Sequence, residues 1–258
     1  MTSHQPESRI SRISTLWTML LDAHDEDLRK KYAAQTRFFE RYQRAIEKYL
    51  LAVLRDANLA EEVFSKFAED FLKGSFHKAN PDRGQFRHYL KRSLVNAARN
   101  CLKKSRTTSA NVPLDENRAV QEDELSTRFE WAWKTELLNK AWEALKEKDE
   151  QTGRNYFTIL QVASDHSELP GRELLELTIQ TLDEKGLLKK QEYAAGTWRK
   201  DLSRARLEYA GMLVQEIGRS IDNESLDAIE EEAAACGLLS YCKPVIARLR
   251  KPSRPTDS

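Results

Sequence analysis

The chain has 258 residues and a formal net charge of +1, with 32% of its residues charged and 40% hydrophobic. This length allows two modest domains, each with its own core, without disulfide or metal staples. Only 9 Gly and 7 Pro are present, and so few turn residues predict an all-α fold. The near-neutral charge gives no global sign of a nucleic-acid partner, so any such signal must be local.

Membrane, metal and catalytic functions are disfavoured by the same composition. No apolar run approaches the roughly 18 residues of a membrane span, and the polar N-terminus lacks a signal-peptide stretch, which predicts a cytoplasmic protein. The 3 cysteines lack zinc-site spacing and the 5 histidines are scattered, so we expect no metal and no cofactor. The sequence also lacks a glycine-rich phosphate loop, a nucleophile elbow and a paired-carboxylate motif, which disfavours an enzyme.

Apolar residues at helical spacing predict four helices in the first half of the chain. These cover about 13–21, 28–56, 58–72 and the residues from 85 onward. Asn58 and Glu61 resemble a capping box at the start of the third helix, and Gly74 ends it. The proline and glycine between Ser75 and Gly84 then favour a loop.

A polar segment from Ser105 to Glu124 lacks a helical apolar period and is the best candidate for a linker. The helices predicted beyond it cover about 126–148, 156–164, 171–182 and 197–221. The last of these places five apolar residues on one face, namely Trp198, Leu202, Ala205, Tyr209 and Met212. An acidic helical extension and a Pro/Arg/Ser tail complete the chain.

The clearest local charge signal lies between Arg83 and Arg106, where eight residues are basic and none is acidic. One stripe of this helix is predicted to be buried, and it consists of Phe86, Leu90, Leu94, Ala97 and Cys101. The residues predicted to point outward are His88, Arg92, Asn96, Arg99 and Lys103, with Tyr89 beside them. An exposed aromatic among basic residues can stack on an unpaired base, which is worth about 1–3 kcal/mol. A solvated basic face that keeps the domain soluble is the alternative.

A second basic cluster opens the helix predicted from Thr197. A helix N-terminus favours phosphate, and side chains there can reach base edges in the major groove, as in a recognition helix. Residues 172–181 would supply the first helix of a helix-turn-helix, although the connection from Leu182 to Gly196 is longer than usual. The acidic helix beginning near Asp222 is expected to present a solvated face. The alternative is that this helix folds against a basic DNA-binding face and masks it until polymerase binds.

Three segments resemble the sigma factors of bacterial RNA polymerase, of the extracytoplasmic-function (ECF) type. Residues 60–67 resemble the Ala-Glu-Asp-Leu helix of sigma region 2, with Ser65-Lys66 where the family usually has Gln-Glu or Gln-Asp. Residues 85–106 resemble the Phe-Arg-x-Trp-Leu...Asn...Leu-Arg-Arg helix that melts and reads the −10 element. Residues 197–206 are similar to the Thr-Val-x-x-x-Leu-x-Arg-Ala-Arg recognition helix for the −35 element.

The resemblance is to a divergent group of this family that carries a C-terminal extension. It implies two helical domains joined by a flexible linker. A sigma region 2-like bundle would cover 1–106, a linker 107–124, a region 4-like helix-turn-helix domain 125–221, and an acidic extension with a disordered tail 222–258. Its implied partners are core RNA polymerase and promoter DNA, with no membrane partner. An anti-sigma factor or another regulator is a further partner that the resemblance leaves open.

The family's functional residues carry over to three sets. The implied −10 contacts are Asn80, Arg83, Arg87, His88, Tyr89, Arg92, Asn96, Arg99 and Lys103. The implied −35 contacts are Thr197, Arg199, Lys200, Ser203 and Arg204. The implied polymerase contacts are Glu61, Glu62, Ser65, Lys66 and Glu69.

The expected function is therefore that of a transcription initiation factor without catalytic residues. It would bind core polymerase, recognise and melt the −10 element and bind the −35 element. A helix-turn-helix regulator that does not bind core polymerase is the main alternative, but it would leave the basic segment 83–106 without a purpose. A purely structural helical scaffold would explain neither basic cluster.

Overall fold

A computed structural model describes residues 19, 22–23, 25–74, 86–108, 122–188, 193–221 and 225–251. Nine helices and no strand occur in these ranges, which confirms the all-α prediction. In chain order they are α1 Leu28–Leu54, α2 Ala57–Leu72, α3 Phe86–Thr108, α4 Glu122–Thr152, α5 Tyr156–Asp165, α6 Gly171–Glu184, α7 Ala195–Arg219, α8 Leu226–Ala235 and α9 Leu239–Leu249. Within the described ranges, none of these helices is both long and apolar enough for a membrane span.

The chain divides into two compact units. Unit 1 comprises residues 1–136 and 219–224, and unit 2 comprises residues 137–218 and 225–258. The division falls inside α4, whereas the predicted second domain begins at residue 125. The difference arises because Phe129 and Trp133 bury their rings among residues of unit 1. Most of the predicted linker, residues 109–121, lies outside the described residues, as do the predicted helix over 13–21, apart from Met19, and the tail after residue 251.

Carboxylates cap the first two helices. Asp27 accepts a hydrogen bond from the Arg29 amide at the start of α1. Asp56 accepts from the amides of Asn58 and Leu59 at 2.9 and 3.1 Å, so the cap of α2 is Asp56 and not the predicted Asn58. An anionic side chain directly before the first turn satisfies exposed amides and complements the helix dipole, which explains why Asp56 takes this position. Gly74 ends the segment with a φ of 89°, a left-handed conformation that favours glycine.

An aromatic cluster forms the core of unit 1. The rings of Phe38 in α1 and Phe71 in α2 stack with their centroids 4.1 Å apart. Phe86, the first residue of α3, meets Phe38 edge-on and lies 5.4 Å from the Tyr42 ring. Trp133 of α4 stacks on the Tyr42 ring, with the two ring centroids 5.7 Å apart. The cluster therefore fixes the start of α3 against α1 and α2.

Unit 2 is built around α7. The Trp198 indole N–H donates to the Thr178 hydroxyl at 3.2 Å, which ties the start of α7 to α6. Further along α7, the Tyr209 ring lies 4.8 Å from that of Trp142 in the second half of α4. At its far end Gly218 lies against α8, because a Cβ on Gly218 would stand 3.3 Å from Ile229 Cδ1. Helix α7 thus contacts its neighbours from one end to the other.

Candidate nucleic-acid interface

Helix α3 is anchored through its first two turns. Phe86 is buried in the aromatic core, and the next residue, Arg87, is buried as well. The Arg87 guanidinium binds the Glu130 carboxylate of α4, and Lys91 Nζ lies 2.8 Å from the second oxygen of the same carboxylate. One acidic side chain therefore holds two basic residues one turn apart on α3.

The buried side of α3 differs in part from the predicted stripe. Phe86, Leu90 and Leu94 are buried as predicted. Further along, Ala98 is fully buried, while Ala97 and Cys101 are partly exposed. Ala98 lies on the side of the helix that also carries Arg87 and Lys91. The buried side of α3 is therefore shifted from the predicted stripe toward the side that binds Glu130.

The opposite side of α3 carries the predicted outward-facing residues. At about 100° of rotation per residue, these five positions share one face of the helix. His88, Arg92 and Lys103 are exposed, and Asn96 and Arg99 are half-buried. These five positions are His88, Arg92, Asn96, Arg99 and Lys103. The structure thus brings five of the nine predicted −10 residues onto one face that points away from the core.

Two members of this face are already bonded to each other. Arg99 Nη2 donates to Asn96 Oδ1 at 2.9 Å, an i,i+3 contact along the helix. Tyr89, beside the face, is half-buried, and burial raises the pKa of its hydroxyl while a hydrogen bond with Ser93 lowers it by less. The phenol therefore stays protonated at neutral pH and offers an uncharged ring edge next to basic side chains.

One residue of the predicted −10 set, Arg87, lies on the buried side of α3, and two others are not described by the structure. The Arg87 side chain is only 5% exposed and its charge is matched by Glu130, so it is not available for a DNA contact. Asn80 and Arg83 lie outside the described residues. Lys91 likewise directs its ammonium to Glu130. The basic segment therefore presents fewer charges to a partner than its composition indicates.

Glu130 is the residue that sequence reasoning missed. It lies 43 positions after Arg87 in the sequence, so no local pattern connects the two residues. The only available signal was the i,i+4 spacing of Arg87 and Lys91, which places both cations on one side of a helix and invites a shared carboxylate. From the sequence alone, Arg87 is instead expected to contact DNA.

The start of α7 displays the predicted −35 residues together. Trp198, Leu202, Ala205 and Tyr209 are buried, as the apolar spacing predicted, and Met212 is half-buried. The five polar positions on the opposite side are all exposed, namely Thr197, Arg199, Lys200, Ser203 and Arg204. The Trp198–Thr178 hydrogen bond holds this face in place relative to α6.

Asp201 moderates the charge of the α7 face. It accepts a hydrogen bond from the Tyr193 hydroxyl at 2.7 Å and lies 3.5 Å from Arg204 Nη1. Burial, followed by the bond to Asp201, raises the pKa of Tyr193. Tyr193, two residues before α7, is therefore bonded to the second turn of that helix, while Arg204 has a long and weak contact that leaves its guanidinium accessible.

The predicted polymerase contacts share one exposed face of α2, opposite the buried Ala60, Val63, Phe67 and Phe71. Lys66 Nζ lies 3.1 Å from Glu69 and 3.0 Å from Asp70. Hydrogen bonds to Asp70 and Glu69 raise the pKa of Lys66, and hydrogen bonds from Lys73 and Lys66 lower that of Glu69. The positive charge at Lys66 is thus matched locally, and Glu61 and Glu62 keep the face acidic.

The acidic extension has a basic partner of its own, Arg250. The Arg250 guanidinium, directly after α9, binds Asp227 and lies 2.7 Å from Glu230. Glu232 is buried, and Ile229 on the same helix lies against Gly218 at the end of α7. Asp227 and Glu230 therefore bind Arg250, and α8 packs on the end of α7 that is remote from Thr197–Arg204.

No group of His, Cys, Asp and Glu side chains suited to a metal ion occurs in the part of the chain that the structure describes. Comparisons with protein-family models, with curated proteins and with solved structures found no match to this chain.

Proposed function

We propose that the chain binds core RNA polymerase and directs it to promoters, capturing the melted −10 element with α3 and binding the −35 element with α7. The observation that carries the proposal is the exposed face of α3. It combines basic, amide and aromatic side chains and lies opposite a helix side that is buried and ion-paired.

Single-stranded DNA suits this face better than a duplex does. Bases that have left the stack expose both their rings and their hydrogen-bonding edges, and His88 and Tyr89 offer rings for stacking. Arg92 and Arg99 offer guanidinium groups for phosphates, and Asn96 offers an amide for a base edge. Each phosphate contact would weaken binding with salt at a log-log slope of about −0.7 on a single strand.

Duplex DNA suits the start of α7. Arginine reads guanine through two hydrogen bonds in the major groove, and hydroxyl groups contact bases or phosphates. Arg199, Lys200 and Arg204 provide the charges, and Thr197 and Ser203 provide hydroxyls on the same exposed side. The division of work would be that α7 positions the protein on duplex DNA while α3 holds the opened strand.

A helix-turn-helix regulator would use α7 alone and would have no need of core polymerase. The proposed initiation factor needs the acidic α2 face as well as both basic faces. Neither role requires a catalytic group or a cofactor, and both would be carried out in the cytoplasm, where polymerase and DNA are found. Binding to core polymerase therefore separates the two functions.

Charge reversal on α2 tests the proposal. We expect the full chain to co-elute with purified core polymerase, and Glu61→Lys with Glu62→Lys to weaken that binding about tenfold or more, because reversing two charges removes the electrostatic complementarity proposed for this contact. Glu147→Lys with Glu150→Lys is the matched control, since it makes the same charge change at exposed positions of α4. Equal binding by both double variants would remove the α2 face from the polymerase contact.

A further inference from the structure

Unit 2 contains a cavity of about 690 Å³, and of the proposed DNA and polymerase contacts only Arg204 lines it. One side of α7 forms a wall, α9 forms another, and residues around the junction of α4 and α5 complete the lining. Ligand sites for small organic molecules fall in the range of roughly 300–1,000 Å³. The space is therefore of the right size for such a molecule.

Gly211 leaves open space in the part of the cavity lining that α7 forms. Leu207, Glu208, Gly211 and Met212 follow the i, i+3, i+4 spacing of a single helix face, and all four line the cavity. A Cβ placed on Gly211 would meet no atom within 4 Å apart from its own neighbours along the helix. The missing side chain at this position thus leaves room that a ligand can occupy.

The cavity carries more positive than negative charge. Its lining includes four basic residues and one acidic residue, and these are Lys148, Arg154, Arg204, Arg248 and Glu208. Glu208 binds Lys148 and lies 3.7 Å from Arg154, so it is shared between two cations. Arg248 of α9 has no ion-pair partner within the described ranges. An anionic group would find unmatched guanidinium charge here.

Apolar side chains supply the rest of the lining. Leu207 and Met212 of α7 face the cavity together with Val245 and Leu249 of α9. The Arg154 guanidinium lies over the Tyr156 ring at 5.4 Å, which orients one of the cations. Guanidinium groups and apolar side chains in one lining are the chemistry that binds a molecule with an anionic head and an apolar body.

We propose that this cavity binds a small amphipathic organic anion. Its carboxylate or phosphate group would be held by Arg248 and Arg204, and its apolar part would lie against Leu207 and Val245. Arg204 also belongs to the proposed −35 set, so a bound anion would compete with DNA phosphate for that side chain. This last consequence rests on the proposed function, whereas binding to the cavity does not.

The test uses the full chain without DNA or polymerase. 8-Anilinonaphthalene-1-sulfonate is an anionic, fluorescent probe of suitable chemistry, and N-phenyl-1-naphthylamine is its uncharged counterpart. We expect the anion to bind with one-to-one stoichiometry and at least tenfold more tightly than the neutral probe, because only the anion gains charge-assisted hydrogen bonds. Gly211→Leu should abolish this binding because its side chain fills the space beside Gly211, and Gly211→Ala should weaken the binding much less.

Arg248→Gln removes one cation at an exposed position of α9 and is expected to weaken binding of the anion about tenfold. Arg172→Gln is the matched control, because the Arg172 side chain is 89% exposed on α6 and does not line the cavity. It should change the affinity less than twofold. The proposal is overturned if the neutral probe binds as tightly as the anion, or if Arg248→Gln and Gly211→Leu both leave the affinity unchanged. Neither result depends on whether the chain binds polymerase.

Discussion

Replacing Glu130 with Gln is expected to lower the free energy of unfolding by about 3 kcal/mol, measured by urea denaturation at neutral pH. The carboxylate neutralises the buried Arg87 and also binds Lys91. Gln keeps the shape but not the charge, so the buried Arg87 guanidinium would lose its ion pair with the Glu130 carboxylate. Breaking a buried pair from one side costs about 3–5 kcal/mol, and the 34% exposure of Glu130 places the effect at the lower end.

Two companion variants decide whether this reason is correct. Glu124→Gln removes a carboxylate from the same helix, where it pairs with Arg128 and is 49% exposed, and should lower the stability by less than about 1 kcal/mol. Adding Arg87→Met to Glu130→Gln should restore much of the lost stability, because the buried charge is then absent. Equal losses from Glu130→Gln and Glu124→Gln would contradict the anchoring role given to Glu130.

Replacing Arg92, Asn96 and Arg99 with Ala is expected to reduce open-complex formation roughly ten- to a hundredfold, because charge-assisted contacts to the single strand are lost. Affinity for core polymerase should stay within twofold, since none of these three residues belongs to the proposed α2 contact surface. Permanganate footprinting of a promoter fragment would measure opening, and gel filtration would measure core binding.

Lys30→Ala with Arg37→Ala provides the control, because it removes the same number of positive charges from exposed positions of α1. That variant should open promoters as well as the unaltered chain does. Normal opening by the α3 variant, together with normal core binding, would show that the −10 element is read elsewhere.

Local periodicity explains how much of the fold the sequence could predict. The helices from α1 to α7 were predicted because apolar residues recur at helical spacing, and the buried Trp198, Leu202 and Ala205 were named from that spacing alone. The exposed faces of α2, α3 and α7 follow from the same pattern, since the side opposite a buried stripe points outward.

Contacts between distant segments could not be predicted in this way. The Arg87–Glu130 ion pair joins two helices far apart in sequence, and it changed Arg87 from a predicted DNA contact to an interior residue. The burial of Ala98, in place of the predicted Ala97 and Cys101, likewise depends on which helices pack against α3. The cavity in unit 2 needs α9 beside α7, so no single stretch of sequence encodes it.

Reconstituted transcription is the most direct test of the central claim. Purified core polymerase would be combined with the full chain and a library of genomic fragments, and the 5′ ends of the transcripts would be mapped. We predict defined start sites that depend on the chain and share a common −10 sequence, with the α3 triple variant losing them. Failure of the chain to co-elute with core polymerase, together with no start site that depends on it, would contradict the account.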